Sequence, residues 1–162
     1  MKVADFGSGS GAYALLIAPL VGEAGRVYAI DVQRDLLRRL HNEAMRRGLR
    51  NVSIVWADLG AEESSKLPAR SLDLVLMSNI LFQLDDKRDA LREAWRILKP
   101  TGQLIILDWS DSFGGMGPVK QHVVTKAGAL ELARETGFEL VREFEAGAHH
   151  YGLVCRLVPK KL

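Results

Sequence analysis

Three closely spaced glycines follow a short apolar segment near the start of the chain. The run Asp5-Phe6-Gly7-Ser8-Gly9-Ser10-Gly11 joins that segment, residues 2–6, to a second apolar stretch at 14–21. Glycines let a backbone turn sharply and let a ligand lie against it. The first turn of a following helix offers free N–H groups and a positive dipole end. The run therefore predicts a loop that binds a nucleotide-like ligand, and its spacing also satisfies a dinucleotide fingerprint.

Two aspartates further along the chain could supply polar contacts to such a ligand. Asp31 ends the apolar segment 26–31, and Asp58 follows the segment 51–57. A carboxylate in the first position can accept both hydroxyls of an adenosine ribose, in nicotinamide and S-adenosylmethionine sites alike. Asp58 could accept a hydrogen bond from the amino group of adenine. Each has a structural alternative, as a helix N-cap for Asp31 and as a turn-initiating residue for Asp58.

The elements that must position these residues alternate between strands and helices. Segments typical of strands occupy residues 2–6, 26–31, 51–57, 71–78, 103–109, 138–144 and 151–158, and helical segments occupy 10–21, 33–47, 86–98 and 125–136. This alternation predicts a parallel sheet between two layers of helices. The link between the last two strands is too short for a parallel crossover, so the final strand must run antiparallel.

Three residues are candidates for acid–base chemistry because of where this topology places them. Asp108 lies near the end of the fifth strand, and His149 and His150 precede the final strand. An antiparallel final strand begins at the edge where the parallel strands end, and ligands bind at that edge. We expect all three beside the mouth of the site, with residues 110–121 forming a loop above it. Histidines that only hydrogen-bond within the hairpin are the alternative.

These motifs together resemble those of a known enzyme class. The glycine loop, Asp31, Asp58, the run Leu98-Lys99-Pro100-x-Gly102 before an apolar strand and the terminal hairpin are similar to class I S-adenosylmethionine-dependent methyltransferases. Within that class the chain looks nearest to the ubiquinone/menaquinone-biosynthesis type. The resemblance implies a three-layer, Rossmann-like α/β fold with a seven-stranded, mostly parallel sheet and an antiparallel C-terminal strand.

The resemblance also implies a cofactor, S-adenosyl-L-methionine, and the residues that hold it. Asp5 and the loop would hold the methionine end, Asp31 the ribose, and Asp58 with the Leu59 backbone the adenine. The residues implied in cofactor binding are Asp5, Gly7, Ser8, Gly9, Gly11, Asp31, Val32, Asp58, Leu59, Ser78 and Asn79. The catalytic residue stays open among Asp108, His149 and His150, and no metal is expected.

Two features depart from the family pattern. Many relatives carry a histidine after the fourth strand, where this chain has Gln83, which cannot act as a general base. Relatives usually carry some tens of residues before the first strand, which close over the cofactor, whereas Met1 begins the strand here. We therefore expect either a form without that lid or a truncated start, and a second copy or another partner that covers the open site.

Composition narrows the possible classes of protein. The 162 residues are 48% hydrophobic and carry a net charge of +2, which fits a single globular domain over 1–162. The longest apolar run, residues 14–21, is far short of the roughly 20 residues that cross a membrane. A lone cysteine, Cys155, excludes an internal disulfide, and we expect a cytoplasmic protein.

Several functions remain open at this point. The leading one is methyl transfer to a small-molecule acceptor. A cofactor-binding domain that needs a partner or a missing N-terminal segment is one alternative. RNA methylation is another, because six arginines between 34 and 50 could bind phosphate, although a solvated helix face is the simpler interpretation. A nicotinamide-dependent oxidoreductase is disfavoured by Asp5 and by the terminal hairpin.

Overall fold

A computed structural model describes residues 1–61 and 63–158 of the chain. It contains seven strands and four α-helices in the predicted alternating order. The strands are β1 (Lys2–Phe6), β2 (Arg26–Asp31), β3 (Val52–Trp56), β4 (Leu72–Ser78), β5 (Leu98–Trp109), β6 (Phe138–Glu145) and β7 (His150–Leu157). The helices are α1 (Ala14–Val21), α2 (Arg34–Arg46), α3 (Lys87–Ile97) and α4 (Lys126–Glu135), with single 3₁₀ turns at Leu81–Gln83 and Lys120–His122.

All seven strands form one sheet in the order β3-β2-β1-β4-β5-β7-β6. The pairs among β1 to β5 are parallel, and β7 is antiparallel to both β5 and β6. The prediction of six parallel strands and one antiparallel strand is therefore confirmed. The order in which successive strands are added to the sheet reverses between β1 and β4, so the carboxyl ends of these neighbours flank the switch point where open α/β sheets bind ligands.

Helices cover both faces of the sheet, which confirms the three layers. On β2, Val27 and Ala29 pack with Ala14 and Leu40 of α1 and α2. The intervening Ile30 belongs to the larger core on the other face, which also contains residues of α3 and α4. Alternate residues of a strand point to opposite faces, so a strand buried on both sides is apolar almost throughout.

Two predicted boundaries are wrong by four or five residues, each for a physical reason, and the others agree or differ by one residue. The first helix begins at Ala14 rather than at residue 10, because residues 7–13 form the turns of the glycine loop. Strand β5 begins at Leu98 rather than at residue 103, because Leu98 pairs with Leu72 before a register shift. Gly102 permits this path, since a Cβ there would lie 2.9 Å from Leu98 Cδ2 and 3.1 Å from the Leu72 carbonyl oxygen.

Candidate functional site

A cleft of about 530 Å³ lies at the carboxyl ends of β1 to β4. Its size is within the range of small-molecule sites. The residues that line it follow the four strands in turn: Gly7, Gly9, Asp31, Val32, Gln33, Leu36, 57–60, Ile80 and 83–86. The structure thus brings the glycine loop, Asp31, Val32, Asp58 and Leu59 together, as the sequence predicted.

The glycine loop is held tightly against the sheet. The backbone N–H groups of Gly7 and Ser8 both donate to the Ile30 carbonyl at 2.9 Å. At Gly11, a Cβ would lie 2.6 Å from Leu40 Cγ, so a larger residue would push the loop away from α2. Gly9 differs, because a Cβ there would meet nothing within 4 Å, although its φ of +54° favours glycine. The space beside Gly9 is part of the cleft.

Asp31 links the loop to the start of α2. Its Oδ2 accepts the N–H of Gly9 and its Oδ1 accepts the N–H of Gln33, both at 2.8 Å. A carboxylate oxygen has two lone pairs, so each oxygen retains capacity for a ligand hydroxyl. The N-cap alternative is wrong, since Gln33 is the N-cap of α2; Asp31 instead holds the chain at the helix entry through the Gln33 N–H, which is compatible with a ribose-binding role.

The third strand supplies the outer wall of the cleft. Asp58 is exposed and its Oδ1 accepts the N–H of Gly60 at 3.0 Å, while Leu59 is buried. Sequence reasoning missed Trp56, whose indole N–H donates to the Val32 carbonyl at 3.0 Å. The Arg34 guanidinium lies 3.5 Å from the centre of the Trp56 ring. These contacts hold the exposed Val32 side chain at the cleft, where a flat ring could lie against it.

The ends of β1 and β4 leave buried hydrogen-bonding capacity unused. Five buried side-chain oxygens lack a partner among the described residues, and four of them are Asp5 Oδ2, Ser8 Oγ, Ser78 Oγ and Asn79 Oδ1. All four belong to the predicted cofactor-binding set and lie within two residues of a residue that lines the cleft. Buried polar atoms are normally satisfied. Asn79 also adopts a φ of +53°, which is uncommon for a residue with a side chain.

Asp5 carries the most perturbed carboxyl group of the site. Burial raises the pKa of Asp5 from 3.8 to about 7; the Ala14 backbone N–H opposes the rise and the Asp31 carboxylate adds to it. Only 2% of the residue is exposed. Burial disfavours the charged form unless a positive partner compensates it. The position is therefore suited to a cationic group of a ligand.

The segment after β4 makes the cleft strongly acidic. Asp85 and Asp86 join Asp31 and Asp58 in its lining, and no lysine, arginine or histidine is among the described lining residues. Asp86 also caps α3 by accepting the N–H of Arg88 at 2.8 Å. These two consecutive aspartates follow a buried strand, a signal of an acidic site that the sequence analysis missed. This charge favours a cationic ligand and opposes the pyrophosphate of a nicotinamide cofactor.

The three candidates for acid–base chemistry do not line this cleft in the described part of the chain. Asp108 is 1% exposed, and it accepts the N–H groups of Leu81 and Trp109 at 2.9 and 2.8 Å. Burial raises the pKa of Asp108, and these backbone hydrogen bonds oppose the rise. Its geometry is that of a group that holds the segment after β4 in place, and its predicted catalytic role stays untested.

The two histidines lie at the neighbouring edge of β5 and β7. The Nδ1 atom of His149 is 2.9 Å from Asp111 Oδ1, and the ring stacks on Phe113 with centroids 3.9 Å apart. His150 packs on Trp109 at 4.1 Å. The loop at 110–121 is thus held against this edge rather than above the cleft, to which it contributes none of the described lining residues.

The remaining charged features have structural partners. On α2, Arg46 and Arg47 pair with Glu43 at 2.6 Å, and Arg38 pairs with Asp35. The arginine-rich face is therefore partly neutralised by its own helix. Within residues 1–61 and 63–158, no group of three histidine, cysteine or acidic side chains could hold a metal ion. None of the described helices has the length and apolar character to span a bilayer.

Known proteins resemble this chain over most of its length. A family described as a methyltransferase domain matches residues 1–145. The chain is 34% identical over 110 residues to the ubiquinone/menaquinone biosynthesis C-methyltransferase of Azotobacter vinelandii, covering 67% of this chain and 42% of that protein. It is 35% identical over 111 residues to the arsenite methyltransferase of Aquipseudomonas alcaligenes, covering 66% of this chain and 32% of that protein.

Solved structures share the architecture. An S-adenosylmethionine-dependent methyltransferase from Aquifex aeolicus superposes with a TM-score of 0.88 and 28% identity, covering 98% of this chain and 82% of that one. The curated relatives are longer, since the chain spans 42% and 32% of the two named above. The fold and the relatives agree with the resemblance carried by the sequence motifs.

Proposed function

The chain belongs to the class I S-adenosylmethionine-dependent methyltransferases, and we propose that it transfers a methyl group from this cofactor to a small-molecule acceptor. The observation that carries the proposal is the charge of the cleft. Four aspartates line it without a cationic side chain among the described residues, and the buried Asp5 adds an orphaned carboxylate oxygen beside it. S-adenosylmethionine carries a positive sulfur, an ammonium group and one carboxylate, so its net charge is positive and these residues fit its two cationic groups.

Each part of the cofactor has a matching set of residues. We assign the ribose hydroxyls to Asp31, and the adenine to Asp58, the Leu59 backbone and the Val32 side chain. We assign the methionine portion to the loop with Gly7, Ser8, Gly9 and Gly11, and to Asp5, Ser8, Ser78 and Asn79, whose orphaned oxygens would gain partners there. The support for this assignment is the cleft geometry and the unmet hydrogen bonds.

Methyl transfer requires the protein mainly to align the cofactor and the acceptor. When bound, S-adenosylmethionine supplies a methyl group that is already activated by the positive sulfur. The chain's own residues then orient the two reactants and limit the access of water. A proton acceptor is required only if the acceptor must lose a proton, so the role of a base at His149, His150 or Asp108 depends on the acceptor.

A small acceptor agrees better with the structure than RNA does. The two relatives named above are a ubiquinone/menaquinone biosynthesis C-methyltransferase and an arsenite methyltransferase. The arginines of α2, which carried the RNA alternative, are largely engaged with Glu43 and Asp35. Arg34 stacks on Trp56. Residues 34–50 still hold six arginines against two acidic residues, so the preference for a small acceptor rests on the relatives and on the acidic cleft.

We propose the cytoplasm as the location of the protein. We also propose that a second copy of the chain is its partner. Met1, Leu16 and Leu20 are exposed beside the first strand and helix, and Leu20 is 83% exposed. These exposed side chains are the apolar surface that the proposed contact would bury. Size measurement in solution, with and without cofactor, tests this, and a strict monomer under both conditions would contradict it.

Calorimetric titration tests the function itself. We expect S-adenosylmethionine and S-adenosylhomocysteine to bind and NAD not to bind. Formation of S-adenosylhomocysteine from pooled small metabolites, and its absence with total RNA, would identify the acceptor class. Binding without turnover in either mixture would favour the alternative, a cofactor-binding domain that requires another chain. Tight binding of NAD would refute the assignment.

A further inference from the structure

A second hollow adjoins the cofactor cleft. It has a volume of about 590 Å³ and lies between the segment after β4 and residues 121–124, which precede α4. Three residues, Gln83, Leu84 and Asp85, line both spaces. Two larger hollows share no described residue with the cleft. One surrounds Arg26 and Asn51 at the opposite edge of the sheet, and the other lies along the β6–β7 hairpin.

The lining of this second hollow has a different chemical character from the cofactor cleft. Its lining is more polar than apolar, with apolar contacts from Phe82, Leu84, Val123 and Val124, while Lys87 brings a positive charge and His122 a ring that can donate or accept a hydrogen bond. Its one acidic side chain, Asp85, belongs to the wall shared with the cleft. A molecule that spans the boundary would therefore meet carboxylates on one side and cationic donors on the other.

We propose that this hollow binds the methyl acceptor, and that the acceptor is a small organic acid with an apolar body. The proposal rests on the proposed function, because it takes the neighbouring cleft to be the cofactor site. The apolar body lies against Phe82 and the two valines, and the carboxylate faces Lys87 and His122. The aspartates of the cofactor cleft repel that carboxylate, so the acid group is turned away from the reacting end.

The Lys87 and His122 side chains retain the hydrogen-bonding capacity that this role requires. The Lys87 ammonium group donates to the Leu84 carbonyl at 2.8 Å, which uses one of its three donors. The backbone N–H of His122 donates to the Val119 carbonyl at 2.8 Å and anchors its turn. Its ring makes no hydrogen bond within the described residues. A carboxylate can accept from both groups, and such charge-assisted hydrogen bonds are the stronger kind.

Ligand-observed fluorine NMR tests the proposal without any turnover. The probes are 4-fluorobenzoate and 4-fluorophenylacetate, each compared with its uncharged amide, with and without S-adenosylhomocysteine. We expect the acids to bind about tenfold more tightly than the amides, the effect of one partly exposed charged contact. The variants H122Q and K87Q should each remove most of that preference. His41 is exposed on α2, far from the hollow, so H41Q is the matched control and should change nothing.

Backbone amide shifts locate the bound acid and make the result decisive. Shift changes clustered at residues 82–87 and 121–124 would support the proposal. Equal binding of acids and amides, failure of both acids to bind, or changes clustered around His149 and Phe113 would overturn it. Calorimetry with S-adenosylmethionine, run in parallel, reports on the proposed function separately, because the acids can bind the free protein whether or not the cofactor does.

Discussion

Replacing Asp5 by asparagine should stabilise the free protein and weaken its binding of a cationic cofactor. Asp5 is 2% exposed, and one of its carboxylate oxygens has no partner among the described residues. Its pKa is about 7 in the folded protein, against 3.8 for an ordinary aspartate. The folded state thus holds this proton over a pH range in which the unfolded chain has released it.

The sign of the pH dependence follows from that difference. Between about pH 4 and pH 7 the folded state binds one more proton than the unfolded state, so the free energy of unfolding falls as the pH rises. A pKa raised from 3.8 to about 7 corresponds to about 4 kcal/mol, at about 1.4 kcal/mol for each pKa unit. This loss of unfolding free energy is nearly complete at pH 7 and stays constant at higher pH.

D5N removes this charge but introduces an amide N–H that burial leaves unpaired, which costs about 1–3 kcal/mol. A net gain of about 1–3 kcal/mol at pH 8 should remain, or about 2–12 °C in Tm at 2–4 °C for each kcal/mol. Cofactor affinity should change in the opposite direction, because the ionised carboxylate attracts the cation. The affinity of the unaltered protein should rise through pH 7, and that of D5N should be lower and flat.

Thermal unfolding from pH 4 to pH 9 measures the stability difference between the two proteins. Calorimetry with S-adenosylmethionine measures the affinity, and adenosine, which lacks both positive groups, serves as the control ligand. D35N, an exposed aspartate of α2, is the control variant and should match the unaltered protein. A lower Tm for D5N at pH 8, or a stability difference that does not vary between pH 4 and pH 7, would refute the reasoning.

Three further changes probe the site and its support. D31A should weaken S-adenosylmethionine binding about 10- to 100-fold in calorimetry, since two charge-assisted hydrogen bonds contribute roughly 2–3 kcal/mol. D58A should weaken binding less, because the Asp58 side chain is exposed. Equal affinities of D31A and the unaltered protein would reject the ribose assignment. G9A and G48A strain backbones of similar positive φ in open space, so both should lower Tm by a similar amount, but only G9A should impair cofactor binding. E93Q should lower the free energy of unfolding by about 1–3 kcal/mol at pH 7, because hydrogen bonds from Arg96 and Ser65 lower the pKa of Glu93 by more than burial raises it. Chemical denaturation should show that this difference shrinks as the pH falls below about 4.5, and a difference that stays constant would argue against the reasoning.

The sheet was predictable because its signals are local. Apolar segments bounded by glycines located β1 and β2 to the residue, and the short link between the last two strands required β7 to be antiparallel. The start of β5 was missed, because Lys99-Pro100 normally ends a helix and continues into a turn. Here the same residues extend a strand, since Leu98 pairs with Leu72 across the sheet, a contact between distant parts of the chain.

The site was predictable where backbone position decides the contact, and less so where side-chain direction does. Asp31 and Asp58 reach the cleft because they follow parallel strands whose ends meet at one edge. His149 shares that edge, yet its ring turns to Asp111 and Phe113. Spacing in the sequence does not show which way a side chain at a hairpin turns. Nor could it show that backbone N–H groups would occupy the Asp108 carboxylate.

The double attachment of Asp31 has a consequence for how such a protein can change over generations. Its carboxylate holds the glycine loop and the entry of α2 at 2.8 Å each, so a mutation there damages the scaffold as well as any ligand contact. Gln121 and His122, in contrast, make no side-chain hydrogen bond among the described residues and line only the second hollow. Mutations at those positions leave the scaffold intact. Under the proposed assignment, a substitution at Gln121 or His122 would therefore change which acceptor binds with little effect on folding, whereas a substitution at Asp31 would disturb folding and cofactor binding together.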